Sequence, residues 1–181
     1  LGYSVDIINW DDSSFVFDKP YDLVVSHGGI NYPTLEKQLN PKTPYIYFST
    51  GSYWKFHNTQ EKKRINDFEK RHNLKLPYDR FIEFPEENAN KRADAIICLG
   101  NDLVARTYDS FPRVFNLPIG SFTHTGHVKT LEELEAGRKD ILFIAGAGNI
   151  HKGLDLVLDA LRELPDFTLH IYTFLDDEFR K

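Results

Sequence analysis

The chain has 181 residues, 41% of them hydrophobic and 14% aromatic, so it contains enough apolar material to bury a core. Its 27 aspartates and glutamates outnumber its 22 lysines and arginines, and the resulting net charge of −5 argues against a nucleic-acid-binding protein. The single cysteine, Cys98, excludes an internal disulfide, and no apolar run approaches the roughly 20 residues of a membrane-spanning helix.

The N-terminal segment combines a helix stop with a strand signal. Gly2 is typical of the residue after a helix, and the apolar residues that follow predict a strand over 4–9. Because a strand that begins so early implies an element upstream of it, we expect the chain to be a fragment. A natural N-terminal strand, formed after processing, is the alternative.

Further along, short apolar runs alternate with longer helical patterns, as in parallel α/β sheets. Strands are predicted over 21–26, 44–49, 95–99, 113–117, 141–145 and 167–173. Helices are predicted over 33–39, 78–92, 131–138 and 154–164, and Pro85 is expected to interrupt the second of these. A further helix is predicted to start at a capping box formed by Asn58 and Glu61, and another to run from its cap Asn101 to Tyr108.

This alternation is broken after residue 120 by a loop-like stretch. We therefore predict an α/β fold with two Rossmann-like parts. Residues 1–121 form most of an N-terminal parallel-sheet domain, residues 122–138 form a linker, and residues 139–181 form the first βαβ unit of a second domain.

The most informative motif is ILFIAGAGNIHKGLDLVL, at residues 141–158. A strand leads into a turn that contains Gly146, Gly148 and Gly153, and a helix starts directly after it. Amides at a helix N-terminus and the positive end of the helix dipole favour an anion there, and glycines allow it to approach the backbone closely. Lys152 adds a positive charge suited to phosphate, so the turn predicts an anion-binding site.

Two common nucleotide-binding motifs do not fit this turn. The dinucleotide fingerprint G-x-G-x-x-G would need a glycine where His151 stands. The P-loop would need its lysine after the last glycine, whereas Lys152 precedes Gly153. NAD and ATP are therefore poor candidates for the ligand.

The turn resembles the donor-binding loop of family 4 glycosyltransferases, in which an apolar strand, a glycine and a variable loop precede Lys-Gly and an amphipathic helix. The stretch from Gly146 to Lys152 has that spacing, and Gly153 opens the helix in the same way. Ala147 stands where many members have an arginine, so one charge for the diphosphate is missing. Two upstream segments, ADAII at 93–97 and RVFNLPIG at 113–120, are also similar to the family.

The resemblance implies the two-domain GT-B fold, with residues 1–121 on the acceptor side and residues 139–181 on the donor side. It implies transfer of a sugar, with retention of configuration at the anomeric carbon, from a nucleotide-diphosphate sugar to a hydroxyl of a glycan or lipid-linked acceptor, as in polysaccharide biosynthesis. No bound cofactor and no metal is implied. The family's first strand would precede Leu1 and its paired glutamates would follow Lys181, so we expect the chain to be truncated at both ends and inactive by itself.

Two other functions stay open at this point. One is a non-catalytic nucleotide-binding module with the same fold, which the missing glutamates and Ala147 favour. The other is a nucleotide-sugar epimerase of GT-B architecture, which would interconvert sugars without an acceptor.

The candidate site residues follow from the motif and the resemblance together. Donor binding is assigned to Gly146, Gly148, Asn149, His151, Lys152 and Gly153. On the acceptor side, His27 follows a buried strand, and it either orients a hydroxyl as a catalytic proton partner or is a turn histidine held by the backbone. Ser49, Thr50 and Gly51 end the next strand, and Thr50 stands near the position of a family histidine, where it would hydrogen-bond a sugar.

Surface charge and histidine spacing give the remaining expectations. A locally basic helix predicts either contact with acidic membrane lipid or a plain solvated face; its cations are Lys62, Lys63, Arg64, Lys70 and Arg71. Because a lone cysteine suits a reducing compartment, we expect a cytoplasmic protein, with contact at the inner membrane face as the alternative. His124 and His127 have no cysteine or carboxylate partner at metal-ligand spacing, so no zinc site is predicted.

Overall fold

A computed structural model describes residues 2–120 and 126–174 of the chain. The chain divides into two compact units. The first comprises Leu1–His57 with Ile82–Ser121, and the second comprises Asn58–Phe81 with Phe122–Lys181. His124 and the start of the predicted linker lie outside the described residues.

The first unit contains a sheet of four parallel strands, which confirms the predicted α/β class and is consistent with a Rossmann-like fold. Its strands are β1 (Val24–Ser26), β2 (Tyr45–Ser49), β3 (Ala95–Leu99) and β4 (Val114–Leu117), in the spatial order β1-β2-β3-β4. Ser26 pairs with Tyr47, and Ser49 pairs with Cys98. The carboxyl ends of β1, β2 and β3 therefore lie along one edge of the sheet, where open α/β sheets bind ligands.

Four helices occur between residues 32 and 106: α1 (Tyr32–Gln38), α2 (Trp54–His72), α3 (Glu87–Arg92) and α4 (Asp102–Arg106). The predicted cap of α4 is confirmed, because Oδ1 of Asn101 accepts hydrogen bonds from the amides of Leu103 at 3.1 Å and Val104 at 3.2 Å. Helix α2 contributes its first turn to the first unit and its residues from Asn58 onward to the second.

Tyrosines dominate the core of the first unit. Its buried apolar side chains include Tyr32, Tyr45, Tyr47, Tyr53, Tyr108, Ile96 and Cys98. Buried hydroxyls need hydrogen-bond partners, and they find them at the ends of the strands. Tyr45 Oη lies 2.6 Å from Oγ of Ser26, and Tyr108 Oη lies 2.7 Å from Oγ of Ser49. The core thereby fixes polar groups at the sheet edge that adjoins His27.

The second unit contains the predicted βαβ unit. Strands β5 (Asp140–Ile144) and β6 (Thr168–Tyr172) pair in parallel, and α6 (Leu154–Arg162) lies between them in the chain. A short helix, α5 (Leu131–Ala136), precedes β5. Ile65 and Phe68 of α2 form a small buried cluster with Ile150 of the glycine turn. The later part of α2 is therefore packed against the turn that follows β5.

Two local predictions are wrong. Residues 4–9 form no strand, and Val5 and Ile7 keep 73% and 91% of their surface exposed. A strand needs a neighbouring strand to pair with its backbone, and an apolar run does not supply one. The helix predicted over 78–92 is reduced to α3, because Pro85 has no amide hydrogen and interrupts a helix.

The capping box predicted at Asn58 is also wrong. Helix α2 begins at Trp54, and Asn58 is a buried residue inside it. The amide of Tyr53 donates to Oγ1 of Thr107 at 2.9 Å, and that of Trp54 donates to Oε1 of Glu86 at 3.3 Å. Side chains that are distant in sequence thus satisfy amides at the helix start, which a local capping motif does not reveal.

Candidate functional site

The glycine turn joins the carboxyl end of β5 to the N-terminus of α6, as predicted. Gly148 and Gly153 have φ angles of 92° and 87°, in the left-handed region that favours glycine. Gly153 directly precedes the first residue of α6 and offers no side-chain cap. The turn therefore depends on glycine for its path and leaves the helix N-terminus without a capping side chain.

Several amides of the turn are used within the turn itself. The amides of Lys152, Gly153 and Leu154 donate to the carbonyls of Gly148, Ile150 and Asn149, at 2.9, 3.0 and 3.0 Å. An amide that is engaged in this way is a poor donor to an anion. Anion binding at the turn would therefore rely on the helix dipole, on other amides and on Lys152.

Lys152 extends over the start of the turn. Its side chain is exposed, and a Cβ atom built on Gly146 would lie 3.9 Å from its Nζ. Within residues 2–120 and 126–174, no carboxylate lies within ion-pair distance of this ammonium. Gly146 and Lys152 are thus brought together at the end of β5, as the donor-site prediction requires.

Asn149 has a structural position in this turn. Its side chain is fully buried; Nδ2 donates to the carbonyl of Phe174 at 2.7 Å, and Oδ1 accepts from Oγ1 of Thr173, also at 2.7 Å. The residue therefore ties the turn after β5 to the end of β6. Asn149 was predicted to border the phosphate or the sugar. Both the nitrogen and the oxygen of its side-chain amide are instead bonded within the protein.

His151 is held by a buried carboxylate that the sequence did not reveal. Nδ1 of His151 lies 2.6 Å from Oε2 of Glu61, a residue with no exposed surface. Since a carboxylate accepts, Nδ1 carries the hydrogen. The other oxygen, Oε1, accepts from the amide of Arg80 at 3.3 Å. Glu61 therefore fixes both His151 and the segment that contains Arg80.

Arg80 itself lies against the glycine turn. A Cβ atom on Gly148 would come within 2.6 Å of Cγ and 2.7 Å of Cδ of Arg80, so any larger residue there would require the Arg80 side chain to move. Sequence patterns placed Glu61 only in a capping box and assigned no role to Arg80, because both residues are far from the turn in the chain. Glycine at 148 is consequently favoured by packing as well as by its φ angle.

Two arginines of the predicted basic helix are engaged within the second unit. Arg64 and Arg71 both pair with Asp155, whose side chain is only 2% exposed, near the start of α6. Arg71 also reaches Oδ2 of Asp159 at 2.7 Å. These pairs hold α2 against α6 and remove two of the five predicted cations from a lipid-facing role.

On the first unit, His27 follows β1 directly. Its Nδ1 lies 3.0 Å from the carbonyl oxygen of Phe48, and because a carbonyl only accepts, Nδ1 carries the hydrogen. In the neutral ring, Nε2 is then the basic nitrogen. The contact with the backbone orients the ring and leaves Nε2 as the atom that can accept a proton.

A cavity of about 310 Å³ adjoins His27 at the end of β1. Its wall is largely aromatic and aliphatic, and it also includes Asp6, Ser26 and Asn31. Asn31 is 8% exposed, and its Oδ1 is buried with no hydrogen-bond partner among the described residues. A buried amide oxygen without a partner is uncommon in folded proteins and calls for an explanation.

The predicted acceptor residues after β2 have different surroundings. Ser49 is buried, and its Oγ donates to the carbonyl of Gly51 at 2.6 Å while contacting Oη of Tyr108. Thr50 is exposed, and Gly51 is half-buried. Ser49 is therefore part of the core network, and Thr50 is the one of the three that presents its side chain to solvent.

Glu86 joins the same network from the segment before α3. Its Oε1 accepts from the hydroxyl of Tyr108 at 3.4 Å and from the amide of Trp54 at 3.3 Å. Burial raises the pKa of Glu86 above its ordinary range, although the positive charge that His27 can acquire opposes this shift. Besides His27, Glu86 is thus a second titratable group near the end of β1, and no sequence motif predicted a role for it.

Among the described residues, no group of three or more histidine, cysteine, aspartate or glutamate side chains is arranged to hold a metal ion. Nε2 of His127 lies 2.7 Å from Oε2 of Glu133, which belongs to the capping box of α5.

Within residues 2–120 and 126–174, no helix is both long and apolar enough to cross a bilayer.

Comparisons with known proteins identify no relative. No protein-family model matches the chain, no curated protein matches it, and no solved structure matches it. The resemblance to family 4 glycosyltransferases therefore rests on the motifs and their order. The established identity of this chain goes no further than an α/β protein with a parallel sheet.

Proposed function

We propose that the chain belongs to a GT-B-type glycosyltransferase and that its glycine turn binds the diphosphate of a nucleotide sugar. One observation carries the proposal: the ammonium of Lys152 extends over Gly146 at the carboxyl end of β5, beside the N-terminus of α6. Both the lysine and the helix dipole present positive charge to the same place. A diphosphate at this place would be attracted by both.

His151 contributes to the shape of this binding site. The contact of Nδ1 with Oε2 of Glu61 holds the imidazole ring of His151 within the turn. Glu61 keeps the ring in one orientation, and Asn149 keeps the turn attached to β6. The turn would therefore be preorganised for its ligand, which reduces the entropy lost on binding.

The proposed reaction moves a glycosyl group to an acceptor hydroxyl. The bond between the anomeric carbon and the diphosphate oxygen breaks, a bond from that carbon to the acceptor oxygen forms, and the hydroxyl proton leaves to a base. Lys152 and the dipole of α6 stabilise the charge that develops on the departing diphosphate. Nε2 of His27 is the proposed proton partner on the acceptor side. The configuration is retained in the proposed reaction, and no metal takes part.

Calorimetric titration of the 181-residue chain with UDP-glucose and with GDP-mannose tests the donor site. We expect binding by at least one of them, and Lys152→Gln should weaken it about 10- to 100-fold, since a charge-assisted hydrogen bond contributes about 1.5–3 kcal/mol. Lys139→Gln is the matched control, because Lys139 lies on the same unit and pairs with Asp166 at 3.1 Å. Equal effects of the two substitutions would contradict the proposal.

A non-catalytic nucleotide-binding module is the second candidate. The observation that favours it is Ala147 in place of a second cation, because fewer positive charges then stabilise a departing diphosphate. Turnover separates the candidates in the intact protein: a transferase releases nucleoside diphosphate only when acceptor is present, an epimerase interconverts sugars without acceptor, and a module binds without either.

Contact with acidic membrane lipid at the inner face would involve the cations of the predicted basic helix. The ion pairs of Arg64 and Arg71 with Asp155 leave only lysines of the predicted basic helix for a lipid surface. We therefore treat membrane contact as a separate property, to be measured by vesicle sedimentation.

A further inference from the structure

The cavity at the end of β1 differs from a typical sugar site in the composition of its wall. Five aromatic side chains other than His27 line it: Trp10, Phe15, Phe17, Tyr21 and Phe48. The ring centroids of Phe15 and Phe17 lie 5.5 Å apart, and those of Phe17 and Tyr21 lie 4.8 Å apart, so these three rings form one continuous part of the wall.

Two of the polar groups around this cavity are already occupied. Oδ2 of Asp6 accepts from Nζ of Lys19 at 2.7 Å and from Oη of Tyr21 at 2.9 Å. Oγ of Ser26 lies 2.6 Å from Oη of Tyr45. The polar atoms that stay available to a ligand are therefore concentrated at His27 and Asn31.

These two residues give the cavity one polar end. Nε2 of His27 can accept a hydrogen bond, because Nδ1 is committed to the carbonyl of Phe48. Asn31 lines the same cavity, and its buried Oδ1 lacks a partner within the described residues. A Cβ atom on Gly28 would lie 3.7 Å from Cε3 of Trp10, so the indole lies against the turn that follows His27.

We propose that this cavity binds an aromatic acceptor, namely a phenol or an aryl alcohol. The inference rests on the proposed function and names the acceptor class of the same site. A free monosaccharide has a hydroxyl on almost every carbon, and each one buried without a partner costs about 1–3 kcal/mol. A phenol or aryl alcohol has one, whose single hydrogen can be donated to Nε2 of His27 while the ring packs against Trp10 and Phe48.

The size of the cavity agrees with this class. A volume of about 310 Å³ is at the lower end of ligand pockets and holds about ten waters at roughly 30 Å³ each. A one- or two-ring aromatic alcohol would fill much of it. A longer acceptor would enter only by its aromatic end.

The test is an NMR titration of the 181-residue chain that follows the indole Nε1–H signals. The chain has two tryptophans, Trp10 in the cavity wall and Trp54 outside it, and the variants Trp10→Phe and Trp54→Phe assign the two signals. With 4-methylphenol as the probe, we expect the Trp10 signal to shift in a saturable way and the Trp54 signal to stay unchanged. A shift of the Trp54 signal alone, or of neither signal, would overturn the proposal.

Matched ligands and one variant test the polar end. Toluene has the same ring without the hydroxyl and should bind at least tenfold more weakly, and methyl glucoside should not compete. His27→Asn retains a donor for the carbonyl of Phe48 but removes Nε2, and we expect it to weaken 4-methylphenol about tenfold without affecting toluene. Equal affinity for 4-methylphenol and toluene, or competition by methyl glucoside, would exclude the proposed acceptor class.

The titration needs no nucleotide sugar, so it fails independently of the donor-site proposal. If 4-methylphenol binds at Trp10 while UDP-glucose and GDP-mannose do not bind, the cavity is a site for aromatic alcohols and the transferase proposal is wrong. If the nucleotide sugars bind and 4-methylphenol does not, the donor site stands and the acceptor class is wrong.

Discussion

His151 and Glu61 lie 90 residues apart in the chain, and Nδ1 of the first is 2.6 Å from Oε2 of the second. Glu61 belongs to α2 and has no exposed surface, whereas His151 belongs to the glycine turn that follows β5. The turn that we propose as a diphosphate site is therefore supported by a carboxylate from the first half of the sequence. Its stability and its order should depend on that carboxylate.

Removal of the Glu61 side chain should loosen the turn. Glu61→Ala leaves His151 and the amide of Arg80 without their acceptor, and we expect a loss of about 1.5–3 kcal/mol in the free energy of unfolding, measured by urea denaturation. Hydrogen exchange of the amides in residues 146–153 should accelerate. Glu69→Gln, on the same helix, is the control; similar exchange in both variants would show that Glu61 does not organise the turn.

Asp155 and Asp159 should differ in their contribution to stability. Asp155 pairs with Arg64 and Arg71 and is 2% exposed, so Asp155→Asn should destabilise the protein by about 3 kcal/mol or more, the usual effect of breaking a buried pair. The side chain of Asp159 is 29% exposed, so Asp159→Asn should have an effect below about 1 kcal/mol that shrinks further in high salt. Thermal unfolding at low and high salt measures both, and a larger loss for Asp159→Asn would contradict this assignment.

Adjacent glutamates of the first unit should respond to pH with opposite signs. Burial raises the pKa of Glu86, so the folded protein holds that proton to a higher pH than the unfolded chain does, and stability falls as the pH rises through the raised pKa. Glu86→Gln should therefore raise stability at pH 7 and change it little near pH 4.

Glu87 should behave in the opposite way. A hydrogen bond from the hydroxyl of Tyr53, followed by those from Lys91 and Lys55, lowers its pKa to about 2. Its stabilising effect is present above the ordinary pKa of a glutamate and is lost as the pH falls towards 2. Glu87→Gln should therefore lower stability at pH 7, and the difference from the unsubstituted protein should vanish towards pH 2. Parallel pH profiles for the Glu86 and Glu87 variants would refute both assignments.

The single thiol should react only after unfolding. Cys98 is fully buried in β3, and burial raises its pKa to about 11, so little thiolate forms at pH 8 and a reagent cannot reach it. We expect no reaction with 5,5′-dithiobis(2-nitrobenzoate) in buffer and one equivalent of thiol in denaturant. Rapid labelling of the folded protein would show that the sheet is not packed as described.

Local signals predicted the elements that depend on local sequence. The strand over 95–99 is correct to the residue, because a continuous apolar run lies between Asp94 and Gly100, and Asn101 caps the helix that follows it. The start of α2 was missed because Thr107 and Glu86, distant in the chain, satisfy the amides near it. The residues at 4–9 have the composition of a strand but no strand to pair with.

In the candidate sites too, local sequence predicted some residues, whereas contacts between distant parts of the chain were missed. Three glycines and Lys152 revealed the turn, since a strand, a glycine turn and a helix follow each other directly in the sequence. Glu61 and Arg80 were missed because their contacts with the turn exist only in the folded chain. For Asn149, the residue type suited a ligand contact, but its amide is used to join two segments of backbone.

The central claim is that the turn from Gly146 to Gly153 binds a diphosphate, and amide NMR of the ¹⁵N-labelled 181-residue chain tests it most directly. On titration with UDP-glucose, GDP-mannose and inorganic pyrophosphate, we predict saturable shifts of the amide signals in residues 146–156. Lys152→Gln should reduce these shifts, and Lys139→Gln should not. Saturable shifts confined to other residues, or no shifts with any of the three ligands, would contradict the claim.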